Sequence, residues 1–146
     1  MTIKELRELD ARAEREIFGK CPHPVEAHKR FRNDDKAAGF VGAIMLKCGE
    51  CSAFLGYDND PRDRRYFKFY GCQEYASSWD AVMGSLVPEM ERRGYHLSLA
   101  HLKDIDRWHW EARFRKPDSP HAYHQEGRIA ICRAALAACA AEEEKK

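Results

Sequence analysis

The sequence carries almost no net charge: 25 Lys and Arg stand against 24 Asp and Glu, leaving +1 with seven histidines held neutral. That balance argues against a histone-like or polybasic nucleic-acid binder, which needs a clear cationic excess. Long hydrophobic runs are also missing. The longest, such as Phe40 to Leu46, fall far short of the roughly 20 residues that a bilayer core requires. The opening Met1-Thr-Ile-Lys-Glu-Leu-Arg-Glu-Leu9 has charges where a signal peptide needs an uninterrupted apolar core. Walker and Rossmann glycine patterns are absent, as are H-E-x-x-H and the deaminase pairing of H-x-E with P-C-x-x-C. No internal repeat and no Ser- or Gly-rich linker divides the chain. What is present is 44% hydrophobic and 34% charged residues, which predicts one soluble globular domain over residues 1–146.

Residues 2–18 read as an amphipathic helix. Thr2 and Glu5 form a capping box, and Ile3, Leu6, Leu9, Ala13 and Ile17 recur at roughly helical spacing. Gly19 supplies the stop, reinforced by Pro22 and Pro24. From Lys20 to Gln73 the pattern is irregular, an insert with strand candidates at Phe40–Lys47, Ser52–Leu55 and Arg65–Tyr70. A second helix starts near Ser77, paired with Asp80 as a capping box, with Trp79, Val82, Met83, Leu86 and Met90 as its apolar stripe. Pro88 predicts a kink or irregular turn within it. Two alternating strands follow, Tyr95–His101 and Trp108–Phe114. They form a hairpin that places Trp108, Trp110, Ala112 and Phe114 on the core face. A polar loop from Lys116 to His124 leads to a last helix over Gly127–Ala141, whose buried stripe is Ile129, Cys132, Leu136 and Cys139, and residues 142–146 should fray.

The runs Tyr75-Ala-Ser-Ser-Trp79, Gly94-Tyr95-His96, Trp110-x-Ala112-x-Phe114 and Ala130-Ile-Cys-Arg-Ala-Ala-Leu136 resemble the phage ABA sandwich domain family. The opening Leu9 to Gly19 resembles that family's first helix. The resemblance implies an α+β fold, an α-β-α sandwich of helices flanking a small antiparallel sheet. It implies phage or prophage origin and expression in the cytoplasm of an infected bacterial host. It brings no catalytic residue with it, because the matching positions are mostly apolar, Gly or Ala. Pro88 and the long middle stretch depart from the family pattern.

Chemistry concentrates in the insert. Cys48-Gly-Glu-Cys51 is a zinc knuckle: its tight turn aims two thiolates at one point and turns backbone amides toward them. Cys21 and His23 complete a Cys₃His set, with Cys72 as a competing ligand and His28 as a weaker one. Six cysteines without an export-like start point to reduced thiols, hence metal rather than disulfides. Structural zinc would supply the stability that this poorly patterned stretch lacks. Asp58–Asp63 resembles half of a calcium loop but lacks its Gly and closing Glu, so it reads as a solvated turn. The polar face of the second hairpin strand, His109, Glu111, Arg113 and Arg115, is left for ligand recognition. Arg64 and Arg65 add a second basic site.

These features predict a non-enzymatic accessory protein that binds a host protein or a small nucleotide-like signalling molecule, as a counter-defence inhibitor or sponge. A zinc-stabilised nucleic-acid-binding module is the alternative, and a small zinc-dependent hydrolase a third. An exposed strand edge or the Ala-rich last helix would serve a homo-oligomer.

Overall fold

Thr2 caps the first helix as the capping-box spacing requires. Its Oγ accepts from the Glu5 amide at 3.2 Å, and the Glu5 carboxylate accepts the Thr2 amide in return. The helix, α1 (Ile3–Glu16), buries Leu9 and Ala13, while Ile17 behind it is fully buried and Gly19 leaves the helix with φ +63°; Ile3, predicted on the same stripe, lies at the first turn and is 71% exposed. This geometry comes from a computed structural model, which describes residues 1–32, 44–57, 73–116 and 119–146. The predicted strand Arg65–Tyr70, the turn Asp58–Asp63, the Arg64/Arg65 pair and Cys72 lie outside the described residues. The fold is mixed α+β, with three helices and two antiparallel three-stranded sheets among the described residues. The chain forms two compact units: Met1–Lys20 together with Gln73–Lys146, and Cys21–Cys72. No helix among the described residues is long and apolar enough to cross a membrane.

In the first unit, a second helix α2 runs through three consecutive pieces: Trp79–Ala81, the wide turn Val82–Leu86, and Val87–Arg92. Its cap is Ser78, one residue later than predicted, with Ser78 Oγ accepting from the Ala81 amide at 3.2 Å. The wide turn is what Pro88 does to the helix. Proline has no N–H, and its ring would strike the carbonyl four residues back. The chain answers with a π turn in which the Val87 amide reaches Val82 O. The buried stripe is accordingly narrow: Val82, Leu86 and Met90 are fully buried, whereas Trp79 and Met83 are 42% and 48% exposed. Trp79 instead lies edge-on to Trp110, with Gly127 beneath both rings. A Cβ at Gly127 would come within 2.8 Å of the Trp79 ring.

The sheet of this unit has the order β4 (His96–Asp104), β5 (Arg107–Arg115), β6 (His121–His124). Both hairpin strands extend further than their alternation suggested, leaving a two-residue turn at Ile105–Asp106. Asp104 Oδ1 accepts the Ile105 amide at 2.8 Å there. Leu97, Leu99, Trp110, Ala112 and Phe114 pack on the core. Trp108 shares their face but stands beyond the helix layer and is 56% exposed, so the prediction that it is a core residue is wrong. β6 was also unforeseen. It lies in the stretch read as a polar loop, because His121–His124 carries no apolar alternation.

The last helix, α3 (Gly127–Glu144), packs on β5 and β6 and against α1. Ala130, Ala134, Ala135 and Ala138 are buried along it, and such small side chains let a helix lie close to a sheet. Cys132 and Cys139 are buried on the same helix, and burial pushes the Cys132 thiol up to about 12. The helix outruns its predicted end. Glu142 accepts from Tyr95 Oη at 3.1 Å and from Lys116 Nζ at 3.2 Å, which anchors a turn that sequence polarity alone would release.

The described residues of the second unit include a 3₁₀ turn, Val25–Ala27, followed by a sheet of order β1 (His28–Arg32), β2 (Ile44–Cys48), β3 (Phe54–Tyr57). His28 lies opposite Cys48, and a bulge falls between Leu46 and Lys47 of β2. β1 reads His-Lys-Arg-Phe-Arg, too charged to announce a strand, and β3 begins two residues later than predicted. The described apolar core here is Leu46, Cys48 and Leu55, with Cys21 and Ala27 against it.

Candidate metal centre

Two short turns bring the four predicted ligands together. Cys48-Gly-Glu-Cys51 connects β2 to β3, and Cys21-Pro-His23 precedes the 3₁₀ turn. One donor atom each from Cys21, His23, Cys48 and Cys51 lies within 4.8 Å of all the others. Cys21 Sγ and Cys48 Sγ are 3.7 Å apart, and Cys51 Sγ lies 3.3 Å from His23 Nδ1. A tetrahedral ion with metal–sulfur bonds of about 2.3 Å has sulfur–sulfur edges of about 3.8 Å. The four side chains therefore fit one tetrahedral metal ion, the chemistry of three thiolates and an imidazole.

The electrostatics of the knuckle turn favour a thiolate at Cys48. Burial opposes charge on Cys48, but hydrogen bonds from His23 and from the Cys51 and Glu50 amides outweigh it and bring the thiol down to about 6. Cys21 moves the other way: burial and the two neighbouring sulfurs push it up, against a bond from the His23 amide. A bound cation would draw off its proton as well.

The segment just after the first turn ties both turns in place. His28 Nε2 is 2.8 Å from His23 O, and Ala27 O accepts the Gly49 amide at 2.7 Å. A Cβ at Gly49 would come within 2.8 Å of that same carbonyl, so the glycine inside the knuckle is required by this close approach. His23 itself sits at φ 47°, a left-handed conformation that a non-glycine residue holds only when its surroundings impose it. His28, weighed as a minor ligand, is not among the clustered donors; it acts as a positioning residue through the His23 carbonyl. We expect His28→Ala to weaken metal binding by about 10–100-fold, the range for removal of such outer supports, without abolishing it. Competition against a chromophoric chelator measures this, and an unchanged affinity would show that the His28 bond is incidental.

The predicted ligand-recognition face of β5 is only partly open. Arg113 Nε donates to Ser119 O at 2.9 Å, and Glu111 accepts from His121 Nδ1 at 2.7 Å. His109 lies beside the half-exposed Tyr123 ring, and Arg115 is exposed opposite His96. His124 does not join this face: its Nδ1 accepts the Glu126 amide at 2.9 Å at the start of α3. Sequence reasoning missed a ring stack on the other face of the hairpin. His101 lies 4.4 Å from Trp110 and 4.8 Å from Trp108, centroid to centroid. The signal is the cross-strand pairing of His101 with Trp110, which a strand predicted to end at His101 does not reveal.

Comparison of the chain with protein-family models, with curated proteins and with solved structures gave no match.

Proposed function

We propose that the Cys21–Cys72 unit is a structural zinc module within a non-enzymatic binding protein. The observation that carries this reading is the Cys₃His cluster. Its four protein donors fill a tetrahedral sphere and leave no position for a substrate or an activated water. That favours a structural ion over the hydrolytic one. Three soft sulfur donors with one imidazole select zinc among the common divalent ions.

The resemblance to phage ABA sandwich proteins supports an accessory role in an infected bacterium, binding a host protein or a small signalling molecule. A nucleic-acid-binding module has less support, since Arg113 spends its Nε–H on the Ser119 carbonyl and the formal charge is only +1. Native mass spectrometry of the full chain purified from infected cells tests both parts. The expected result is one zinc per chain together with a stoichiometric partner or ligand. Metal-free protein of equal stability would overturn the zinc module, and bare zinc protein would overturn the binding role. Binding to single-stranded DNA that weakens steeply with salt would move the assignment to nucleic acid.

A further inference from the structure

From the edge of β4, which has no partner strand among the described residues, we infer that the protein forms a two-fold dimer through that strand, joining two three-stranded sheets into one of six strands. Among the described residues β4 pairs only with β5. Its nine residues therefore present a long row of backbone donors and acceptors, the template on which sheets extend. The end of this hairpin is also apolar where it has left the core. Leu102 is 39% exposed and Ile105 92%, and Trp108, on the opposite face of the hairpin from Leu102, is 56% exposed.

The occupant is chosen by self-complementarity. In an antiparallel pairing, opposed residues share a face, so a one-residue slip would put the two helix layers on opposite sides of the joined sheet. Of the registers that keep them on one side, the one centred on Ala100 uses the whole strand. It sets Ala100 against its own copy, Leu99 against His101, Ser98 against Leu102 and Leu97 against the stem of Lys103. At both ends His96 meets Asp104, a donor facing a carboxylate. Each residue contacts a partner whose copy returns the contact, which is the requirement of a closed two-fold interface.

Within one chain His96 lies opposite Arg115. His96→Asp therefore gains a favourable neighbour in its own sheet while placing two carboxylates together across the dimer axis. Sedimentation velocity of the full chain up to about 100 µM should show a dimer. His96→Asp should weaken association at least tenfold with an unchanged melting temperature. Ala100→Cys should form an oxidised cross-link between two copies of the peptide bearing position 100. A monomeric wild type overturns the inference and leaves the edge to a different protein. A dimer that neither responds to His96→Asp nor yields the 100–100 cross-link overturns it too, since the contact then lies elsewhere.

Discussion

Serine at both Cys48 and Cys51 should abolish metal binding and unfold residues 44–57, leaving the helices of the first unit folded. Each ligand pair is half of the tetrahedron, so two sulfurs cannot be lost with retention of a tight site. Among the described residues, the apolar core around them is Leu46, Cys48 and Leu55, with Cys21 and Ala27 against it. Structural zinc in small modules supplies about 10–16 kcal/mol of apparent binding energy at neutral pH, all of it available to folding. The measurement is amide hydrogen exchange on the full chain, with and without a strong chelator. Protection in β2 and β3 should vanish in the double variant and in the chelated wild type alike, while amides of α3 such as Ala134 and Ala135 stay protected. Undiminished protection in β2 after complete metal removal would sink the structural role.

Asp10→Asn should stabilise the protein above pH 7 by on the order of 2 kcal/mol and leave it unchanged near pH 4. Asp10 is 5% exposed on α1, with its Oδ1 accepting the Ala76 amide at 2.7 Å. Burial raises its carboxyl to about 6, helped by Glu74 and Glu14 and opposed by the Ala76 amide. A raised acid binds its proton more tightly in the folded state than in the unfolded one, where its pKa is near 3.9. The favourable contribution is therefore complete below about pH 4 and is lost as pH rises through about 6, beyond which the charged form carries a constant penalty. Asparagine keeps the acceptor for Ala76 and removes the charge. For a chain of this size 2 kcal/mol corresponds to roughly 4–8 °C in melting temperature. The decisive quantity is the difference between variant and wild type across pH 4–8, which cancels contributions from other groups such as Glu89, whose pKa is lowered to about 2 chiefly by Arg92 and by Arg93. A variant less stable than wild type at pH 7.5 would show that the carboxylate is preferred there.

Neither Asp10 nor its neighbour Glu14 was legible as a buried group. Glu14 falls with Arg12, Arg15 and Glu16 in the alternating charges of α1, a pattern that reads as a solvated face. What buries Asp10 and Glu14 is the turn at Tyr75–Ala76, whose Tyr75 hydroxyl donates to Glu14 at 2.7 Å and whose Ala76 amide donates to Asp10. Those partners lie more than 60 residues away, and no local periodicity carries that information. The same distance effect explains Trp108. Alternation places it correctly on the face of Trp110 and Phe114, but alternation cannot say where along a strand the covering helices stop.

The sequence by itself determined the features whose causes are local. The Thr2 cap, the Gly19 stop, the disturbance at Pro88, the central hairpin and the alanine-rich last helix each follow from side-chain chemistry within a few residues. The four clustered donors were also legible, because a thiolate pair across a glycine turn is a local signal and few other residues of the insert could complete a tetrahedron. Tertiary structure decided the rest. It turned Pro88 into a π turn, held the last turn of α3 through Tyr95 and Lys116, and made β1 and β6 strands although their side chains are polar. It also left one edge of β4 without a partner strand among the described residues. Strands of this kind are created by pairing, since their backbone hydrogen bonds come from residues distant in the chain, and a pattern read along one segment does not contain its neighbour.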